Sequence, residues 1–523
     1  MTWFQAPVVT MPNLVALHGK WRGARTALIE GDRRLTWLEF ERETARAANG
    51  LEGLGVRDGD RVAVLMDSSL EMLILLFGIL RHGGVAVPLN VSISDGAVAR
   101  MIEDANARAI FASGPHCRRI DALRATSERI AGAVRVGLHC ATQGWTAQGW
   151  TEFNAWLGAQ SPEWQRIVAP EQDCNIIYSS GTTGQPKGIV HTHACRMQWA
   201  ADLASVLRYR GDCVTLCSLG LFSNITWVAM LCTVFVGGTL VVMPHFDAAA
   251  AVELIADARV SHGTFVPLQL ERLLALPDLD RHDLTSLDTL MCCGSPLPLD
   301  IKRDFPRRFD CRLIELYGLT EGVCTILAPE DFERKISSVG KPFLGTDLRI
   351  IGEDDREVPR GETGEIVGSS PLLMAGYHGN DAASSEVTWT DPHGARWLRT
   401  GDIGRLDSDG FLYVVDRKKD MILSGGQNIY PADIEAVMRA HPGVADVAVV
   451  GVRSLQWGET PVAVVVAAQN PPLVAESLVE WTNARVGKQQ RIRGVVFRAS
   501  LPRNANGKVL KRELRHELAD LVH

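Results

Sequence analysis

The sequence predicts an α/β protein: a large N-terminal body whose helices pack on sheets, followed by a smaller C-terminal domain. Three observations lead there. Two strand, helix, strand runs, each broken by a Gly-Gly pair, lie in the first half of the chain. A charged cluster, Asp416-Arg-Lys-Lys-Asp420, separates this alternating text from a basic C-terminal stretch. The 523 residues suffice for several core-forming units at roughly 100 to 200 residues each.

Along the chain, Arg61-Val-Ala-Val-Leu-Met66 reads as a strand and Leu70 to Leu80 as a largely apolar helix. Val85-Ala-Val-Pro-Leu89, after Gly83-Gly84, reads as a second strand. Cys174-Asn-Ile-Ile177 is strand-like. Trp227 to Phe235 suits a buried helix, and Thr239-Leu-Val-Val-Met243, after Gly237-Gly238, a strand. The uncharged run from Ile225 to Met243 has the length of a membrane span, but its glycine pair divides it, and burial on both faces of a sheet explains it. No span is expected. Arg312-Leu-Ile-Glu-Leu316 is a further strand, and Asp409-Gly410 is a turn pair before Phe411-Leu-Tyr-Val-Val415. A short helix is expected from Leu510 to Leu518. The divisions predicted are a body over 1–415, a hinge over 416–420 and a lid over 421–523.

With 46% hydrophobic and 22% charged residues the chain belongs with globular proteins rather than disordered or fibrous ones. Its net charge of -7 gives no global reason to bind nucleic acid. The charge is unevenly divided: 15 Lys and Arg face 11 Asp and Glu from residue 416 onward, against 39 and 50 before it. Between Arg485 and Arg515 ten basic residues face one acid, Glu513, with a single aromatic, Phe497. That stretch suits a polyanionic small ligand better than a nucleic acid. The 11 cysteines form no paired CxxC motifs, and the N-terminus lacks a signal pattern, so a reducing cytoplasm is expected. Cys292-Cys293 and the Cys213, Cys217 pair read as core rather than metal ligands.

The most specific segment is Tyr178-Ser-Ser-Gly-Thr-Thr-Gly-Gln-Pro-Lys-Gly188. Its glycines let backbone N–H groups approach an anion, its hydroxyls donate to phosphate oxygens, and Lys187 adds a point charge. The spacing is not that of the P-loop, because Lys187 is followed by Gly188. Tyr317-Gly-Leu-Thr-Glu321, Arg399-Thr-Gly-Asp402 and Leu501-Pro-Arg-Asn-Ala-Asn-Gly-Lys508 follow in order. Each alone is explained by a turn.

Together these segments resemble the adenylate-forming superfamily of acyl-CoA synthetases, non-ribosomal adenylation domains and beetle luciferases. Ser424-Gly425-Gly426-Gln-Asn-Ile429 after the charged cluster adds to the likeness, which covers nearly the whole chain. The resemblance implies a large N-terminal body of mixed αβ sheets, with αβαβα-type subdomains and a distorted β-barrel, plus a small mobile α+β C-terminal lid domain. It also implies ATP-dependent activation of a small-molecule carboxylic acid to acyl-AMP with loss of pyrophosphate, then transfer to coenzyme A, with Mg²⁺ as metal. By resemblance, Ser179, Ser180, Gly181 and Gly184 belong to the phosphate loop, in which Thr182, Thr183 and Lys187 hold the β- and γ-phosphates. Glu321 binds Mg²⁺, Thr320 meets the α-phosphate, and Gly294, Ser295, Pro296, Tyr317 and Gly318 shape the adenine slot. Asp402 takes the ribose hydroxyls, reinforced by Arg417, and Lys508 supplies charge where carboxylate meets phosphorus. Lys419 is the pivot that exchanges the Lys508 face for the Gly425, Gly426 face beside the pantetheine channel. The basic stretch would help meet the phosphates of coenzyme A.

Two departures from the family pattern stand out. Ser223 occupies the place of a histidine common in acyl-CoA synthetases, and Cys292-Cys293 precedes Gly294 where small residues are usual. The acyl pocket is expected from Phe222, Ser223, Asn224, Trp227, Phe265, Val266 and Gly322. With no lysine or arginine in those stretches, the expected substrate is an apolar monocarboxylate, a fatty acid or an aromatic or alicyclic acid. A free-standing adenylation enzyme loading a carrier protein, and a non-catalytic nucleotide-binding paralogue, are the alternatives. Monomer and homodimer are both open.

Overall fold

A computed structural model describes residues 9–140, 148–179, 187–424, 427–468, 473–488, 490–504 and 507–519. Two large mixed sheets form the body. In the nine-stranded sheet, the parallel neighbours are Arg312–Gly318, Thr289–Cys292, His262–Phe265, Val214–Cys217, Thr239–Val242 and Thr26–Glu30, with antiparallel strands at both edges. The eight-stranded sheet sets Asp173–Ser179 beside Val85–Pro88 and Arg61–Leu65 in parallel, with Lys187–Thr192 returning antiparallel. Parallel strands covered on both faces have to be apolar throughout, which is why these segments read as continuous hydrophobic runs.

The glycine pairs mark the ends of the two apolar helices. Leu70–His82 and Asn224–Val236 each close on a left-handed residue, Gly83 at φ 93° and Gly237 at φ 74°, a conformation a Cβ disfavours. Asn224–Val236 is almost wholly buried against its neighbouring elements, so its hydrophobicity belongs to a core helix. Among the described residues no helix is long and apolar enough to cross a membrane. Cys213, Cys217, Cys292 and Cys293 are all buried in apolar clusters, with Cys217 on a strand rather than a helix.

An antiparallel five-stranded sheet completes the body, and its hairpin Arg396–Leu406 with Leu412–Arg417 turns at Gly410. That second strand runs through Asp416 and Arg417, opposite Ile403 and Asp402. After a turn at Lys418 to Asp420, a second five-stranded sheet begins with Ile422–Ser424, built largely on the long hairpin Val444–Ser454 and Gly458–Ala467. The helices Pro431–Arg439, Ala475–Asn483 and Lys511–Glu517 accompany it. Asp416 accepts from the Ala432 N–H at the start of the first helix, and Arg515 donates to the carbonyls of Lys419 and Asp420. The connecting turn is therefore tied to the first and last helices of the C-terminal domain.

One covalent feature was not legible in the sequence. Cys117, in the helix His116–Leu123, is paired with Cys140, just beyond the strand Val134–Leu138, with their Cα atoms 5.8 Å apart.

Candidate active site

The C-terminal ends of the parallel strands carry the site, as open α/β sheets dictate. Asp173–Ser179 ends at the phosphate loop, whose Ser180, Gly181, Thr182, Thr183 and Gly184 lie outside the described residues, as do Gly425 and Gly426. Of Ser179 only the backbone is described, paired with Lys187 across the hairpin. Thr289–Cys292 ends two residues before Gly294, and Arg312–Gly318 delivers Tyr317 and Gly318 beside it. Ser295 is partly exposed there and Pro296 exposed.

The turn after Gly318 holds Thr320, Glu321 and Gly322 between two antiparallel strands, closed by Leu319 N–H to Val323 O and Gly322 N–H to Leu319 O. Gly322 has φ 114°, and a Cβ there would fall 2.1 Å from the Leu372 carbonyl oxygen, so no other residue fits without moving backbone. His191 fixes this turn from below. Its Nε2 lies 2.8 Å from the Thr320 carbonyl oxygen, and burial drives the imidazole well below its usual pKa, so the neutral ring carries its proton on Nε2 and donates. His193, also buried and lowered to about 4, begins the helix His193–Val206.

A side chain absent from the sequence-based site joins two of its members. The Tyr377 hydroxyl donates to Glu321 Oε1 at 2.9 Å, while Lys187 Nζ lies 4.7 Å from the centre of the Tyr377 ring. Tyr377 arrives on the two-residue strand Gly376–Tyr377, which pairs with Lys187–Thr192. A strand this short leaves no periodicity to read, but its register places the ring between the lysine and the carboxylate.

Facing these groups, Asp402 is only 2% exposed. It accepts from the Tyr317 hydroxyl at 2.7 Å and pairs with Arg417 Nε at 2.8 Å, its neighbour across the hairpin. Around it lie further charges, the cations Lys419 and Lys508 and the acid Asp420. Lys508 is pulled down to about 8 by burial first and then by the Arg417 charge, with Asp402 opposing, and Lys419 is lowered to about 8 for the same two leading reasons. The Lys508 loop is tied by Lys508 N–H to Asn504 Oδ1 at 2.9 Å and rests on the body, where Gly507 approaches Leu268 of the helix Pro267–Leu274. The structure thus unites Lys508, Lys419, Arg417, Asp402 and Tyr317 in one cluster rich in positive charge.

The expected acyl pocket is only partly assembled. Val266 and Ile225 face Gly294, where a Cβ would meet them at 3.4 and 3.0 Å. Ser223 caps the helix Asn224–Val236 by accepting from Ile225 N–H, so its hydroxyl is already engaged, and Phe222 and Asn224 flank it partly buried. Phe265 is set apart. Strand alternation turns its ring into the cluster of Leu270, Leu273 and Leu290, on the face opposite Val266. Trp227 is fully buried a layer deeper, its indole N–H donating to Leu221 O. In that deeper layer the Arg196 guanidinium, from the helix His193–Val206, lies 5.2 Å from the Trp227 ring. In the basic stretch, Arg498, Arg503, Lys511 and Arg515 are engaged with Glu517, Asp446, Glu435 and Asp420, which leaves less charge for a ligand than the sequence count implies.

A two-part α/β enzyme, in which a large body and a small C-terminal domain both contribute to one charge cluster, is what this fold and site define. The chain belongs to the AMP-binding enzyme family, matching it over residues 18–378, with the AMP-binding enzyme C-terminal domain over residues 433–508. It is 34% identical to a long-chain-fatty-acid–CoA ligase of Mycobacterium tuberculosis over 94% of each chain. It is also 34% identical to a feruloyl-CoA synthase of Amycolatopsis over 94% of this chain and 95% of that one. Among solved structures, ATP-bound MatB from Rhodopseudomonas palustris superposes with a TM-score of 0.86 at 26% identity, covering 98% and 99% of the two chains.

Proposed function

We propose that the chain is an AMP-forming acid–thiol ligase that activates a carboxylic acid with ATP and passes the acyl group to coenzyme A. The observation that carries this reading is the cluster of three cations, Lys508, Lys419 and Arg417, against two acids, Asp402 and Asp420. Joining two anions requires surplus positive charge where carboxylate meets α-phosphorus, and this cluster supplies it.

In this reading Asp402 accepts the ribose hydroxyls, with Tyr317 and Arg417 fixing its carboxylate. Gly294, Ser295 and Pro296 border the adenine, and Lys508 neutralises the charge that builds up during attack. Lys187, with Thr182 and Thr183 from the phosphate loop, holds the departing pyrophosphate, and Thr320 meets the α-phosphate. Glu321 is a hard oxygen ligand held by one neutral donor, Tyr377, and that donor set fits Mg²⁺, which takes one or two carboxylates together with substrate phosphates. When bound, the ion neutralises charge on the phosphate oxygens. The body is residues 1–415, the lid 421–523, and residues 416–420, with Lys419 as pivot, connect them. Lid rotation would bring Gly425 and Gly426 toward the acyl carbon for the thiol step. The acid has an apolar body, matching the Ile225 and Val266 wall, and relatives acting on a long-chain fatty acid and on ferulate support that class. A cytoplasmic setting is part of the reading; nine of the described cysteines are unbridged, while Cys117 and Cys140 are paired.

Removing the Tyr377 hydroxyl leaves Glu321 without its neutral donor. Hydrogen bonds to charged groups contribute about 1.5 to 3 kcal/mol, so Tyr377→Phe should lower kcat/KM for Mg·ATP roughly tenfold or more, read by pyrophosphate exchange. An unchanged value would detach Tyr377 from the metal site. The reaction itself is tested with a carboxylic-acid panel in which pyrophosphate release and CoA-dependent AMP release are followed side by side. Thioester formation with free coenzyme A supports the ligase. Pyrophosphate release with no response to coenzyme A, but acylation of a carrier phosphopantetheine, replaces it with the carrier-loading enzyme.

A further inference from the structure

The turn that joins body and lid is divided between them. Lys418 belongs to the body: its N–H donates to the Gly401 carbonyl at 2.9 Å, and its Nζ pairs at 2.9 Å with Glu365, which also pairs with Arg399. The next two residues belong to the lid, because Arg515 of the helix Lys511–Glu517 donates to the Lys419 and Asp420 carbonyls, each at 2.9 Å. A rotation of the lid therefore falls between Lys418 and the carbonyl of Lys419. Asp416 lies on the body side of that point, paired with Ile403 in the body's antiparallel sheet.

Asp416 nevertheless holds the lid. Its Oδ2 accepts from the Ala432 N–H at 2.9 Å, at the start of the lid helix Pro431–Arg439, while its Oδ1 accepts from the Arg417 N–H at 2.7 Å. That helix has no cap of its own. Tyr430, at its N-cap, makes no capping hydrogen bond, and Pro431 lacks an N–H, so Ala432 carries the first amide that needs a partner. The Asp416 carboxylate is only 9% exposed, and its negative charge suits the positive end of the helix dipole. A second hydrogen bond between lid and body, from Asn428 to Glu353 at 3.3 Å, joins two exposed side chains, where water competes for both.

We propose that Asp416 is a latch: from the body it caps a lid helix that must leave it when the lid turns. This rests on the ligase reading above and names the residue that weights the balance between its two half-reactions. When Ala432 moves away its N–H passes to water and the helix loses its cap, so the bond favours the position that keeps Lys508 beside Asp402 and Arg417. Asp416 is a positioning residue, acting through the helix it caps. For a lid with two positions, kcat/KM of each half-reaction scales with the fraction of enzyme in the competent position. The ratio of the two then follows the equilibrium constant, whichever position is favoured.

The test measures kcat/KM for ATP in pyrophosphate exchange and kcat/KM for coenzyme A in thioester formation from supplied acyl-AMP. Asp416→Ala should raise the ratio of the second to the first about fivefold, the usual weight of one helix cap, by loss in the first, gain in the second, or both. Asp416→Asn keeps an acceptor oxygen and should recover part of the wild-type ratio. Should the alanine variant fail to fold, Tyr430→Ser gives an independent reading. A serine at the N-cap supplies the helix with its own acceptor and releases it from Asp416, so the ratio should again rise. Both constants falling by one factor, or a ratio unmoved in these variants, overturns the latch and leaves the ligase reading standing. Wild type that forms acyl-AMP from no carboxylic acid, or no thioester from it with coenzyme A, overturns that reading, and the latch with it.

Discussion

Lys508→Ala should lower acyl-AMP formation by about 10² to 10³-fold, the usual cost of removing one preorganised charge from a developing transition state. The same variant should form thioester from supplied acyl-AMP at close to the wild-type rate. The ammonium lies in the Asp402, Arg417, Lys419 cluster and is tied there by the Asn504 to Lys508 turn, so its charge bears on the first step alone. Pyrophosphate exchange reports one half-reaction and thioester formation the other. Equal loss in both would show that Lys508 supports the fold or the lid, not the attack on phosphorus.

The depressed pKa adds a pH signature to the same residue. In the free enzyme the Lys508 ammonium loses its proton as pH rises through about 8, because burial and Arg417 disfavour the charged form. Lys419 titrates in the same range, and the acids facing both are Asp402 and Asp420. Since kcat/KM follows the free enzyme, its value for ATP should fall above about pH 8. Bound phosphates favour the ammonium, so kcat should hold to higher pH. Lys508→Arg, which stays charged throughout, should weaken the alkaline limb, and a limb unchanged in that variant would assign the titration elsewhere.

Much of this architecture was legible because parallel, doubly covered strands must be apolar and because glycines end the buried helices. Leu70–His82 and Asn224–Val236 appear within a few residues of where the pattern put them. Thr320 and Glu321 do sit in a turn, whereas Arg399 to Asp402, which reads as a turn, lies within the strand Arg396–Leu406. The hairpin that aligns Asp402 with Arg417 explains why residues fifteen apart in sequence act together. What escaped has a common physical cause, the direction in which a side chain points. Phe265 and Val266 are neighbours in sequence but face opposite cores. Tyr377 stands on a strand of two residues, too short for any period to show.

The lid's position offers the second large effect. An ideal Cβ at Gly507 falls 3.8 Å from Leu268 Cβ, close to the mean Cβ separation of a disulfide. The double variant Gly507→Cys, Leu268→Cys should therefore oxidise to a bridge that pins the Lys508 loop to the body. Gly507 sits at φ 77°, so the cysteine costs on the order of 1 kcal/mol, small beside the closure it allows. A proline at Lys419 is a poorer lock. That residue is the third position of the Arg417 to Asp420 turn, which Asp420 N–H closes onto Arg417 O, and proline there would force Lys418 out of its turn conformation. Oxidised, the bridged enzyme should still make about one equivalent of acyl-AMP, since Lys508 remains at the cleft. Its thioester formation should drop by about 10²-fold or more, because Gly425 and Gly426 cannot replace that loop, and reductant should restore it. Wild type taken through the same redox cycle controls for the Cys117 and Cys140 pair. Thioester formation at the unbridged rate would mean that both half-reactions proceed with the lid where it stands, and the pivot at Lys419 would have no role in the thiol step.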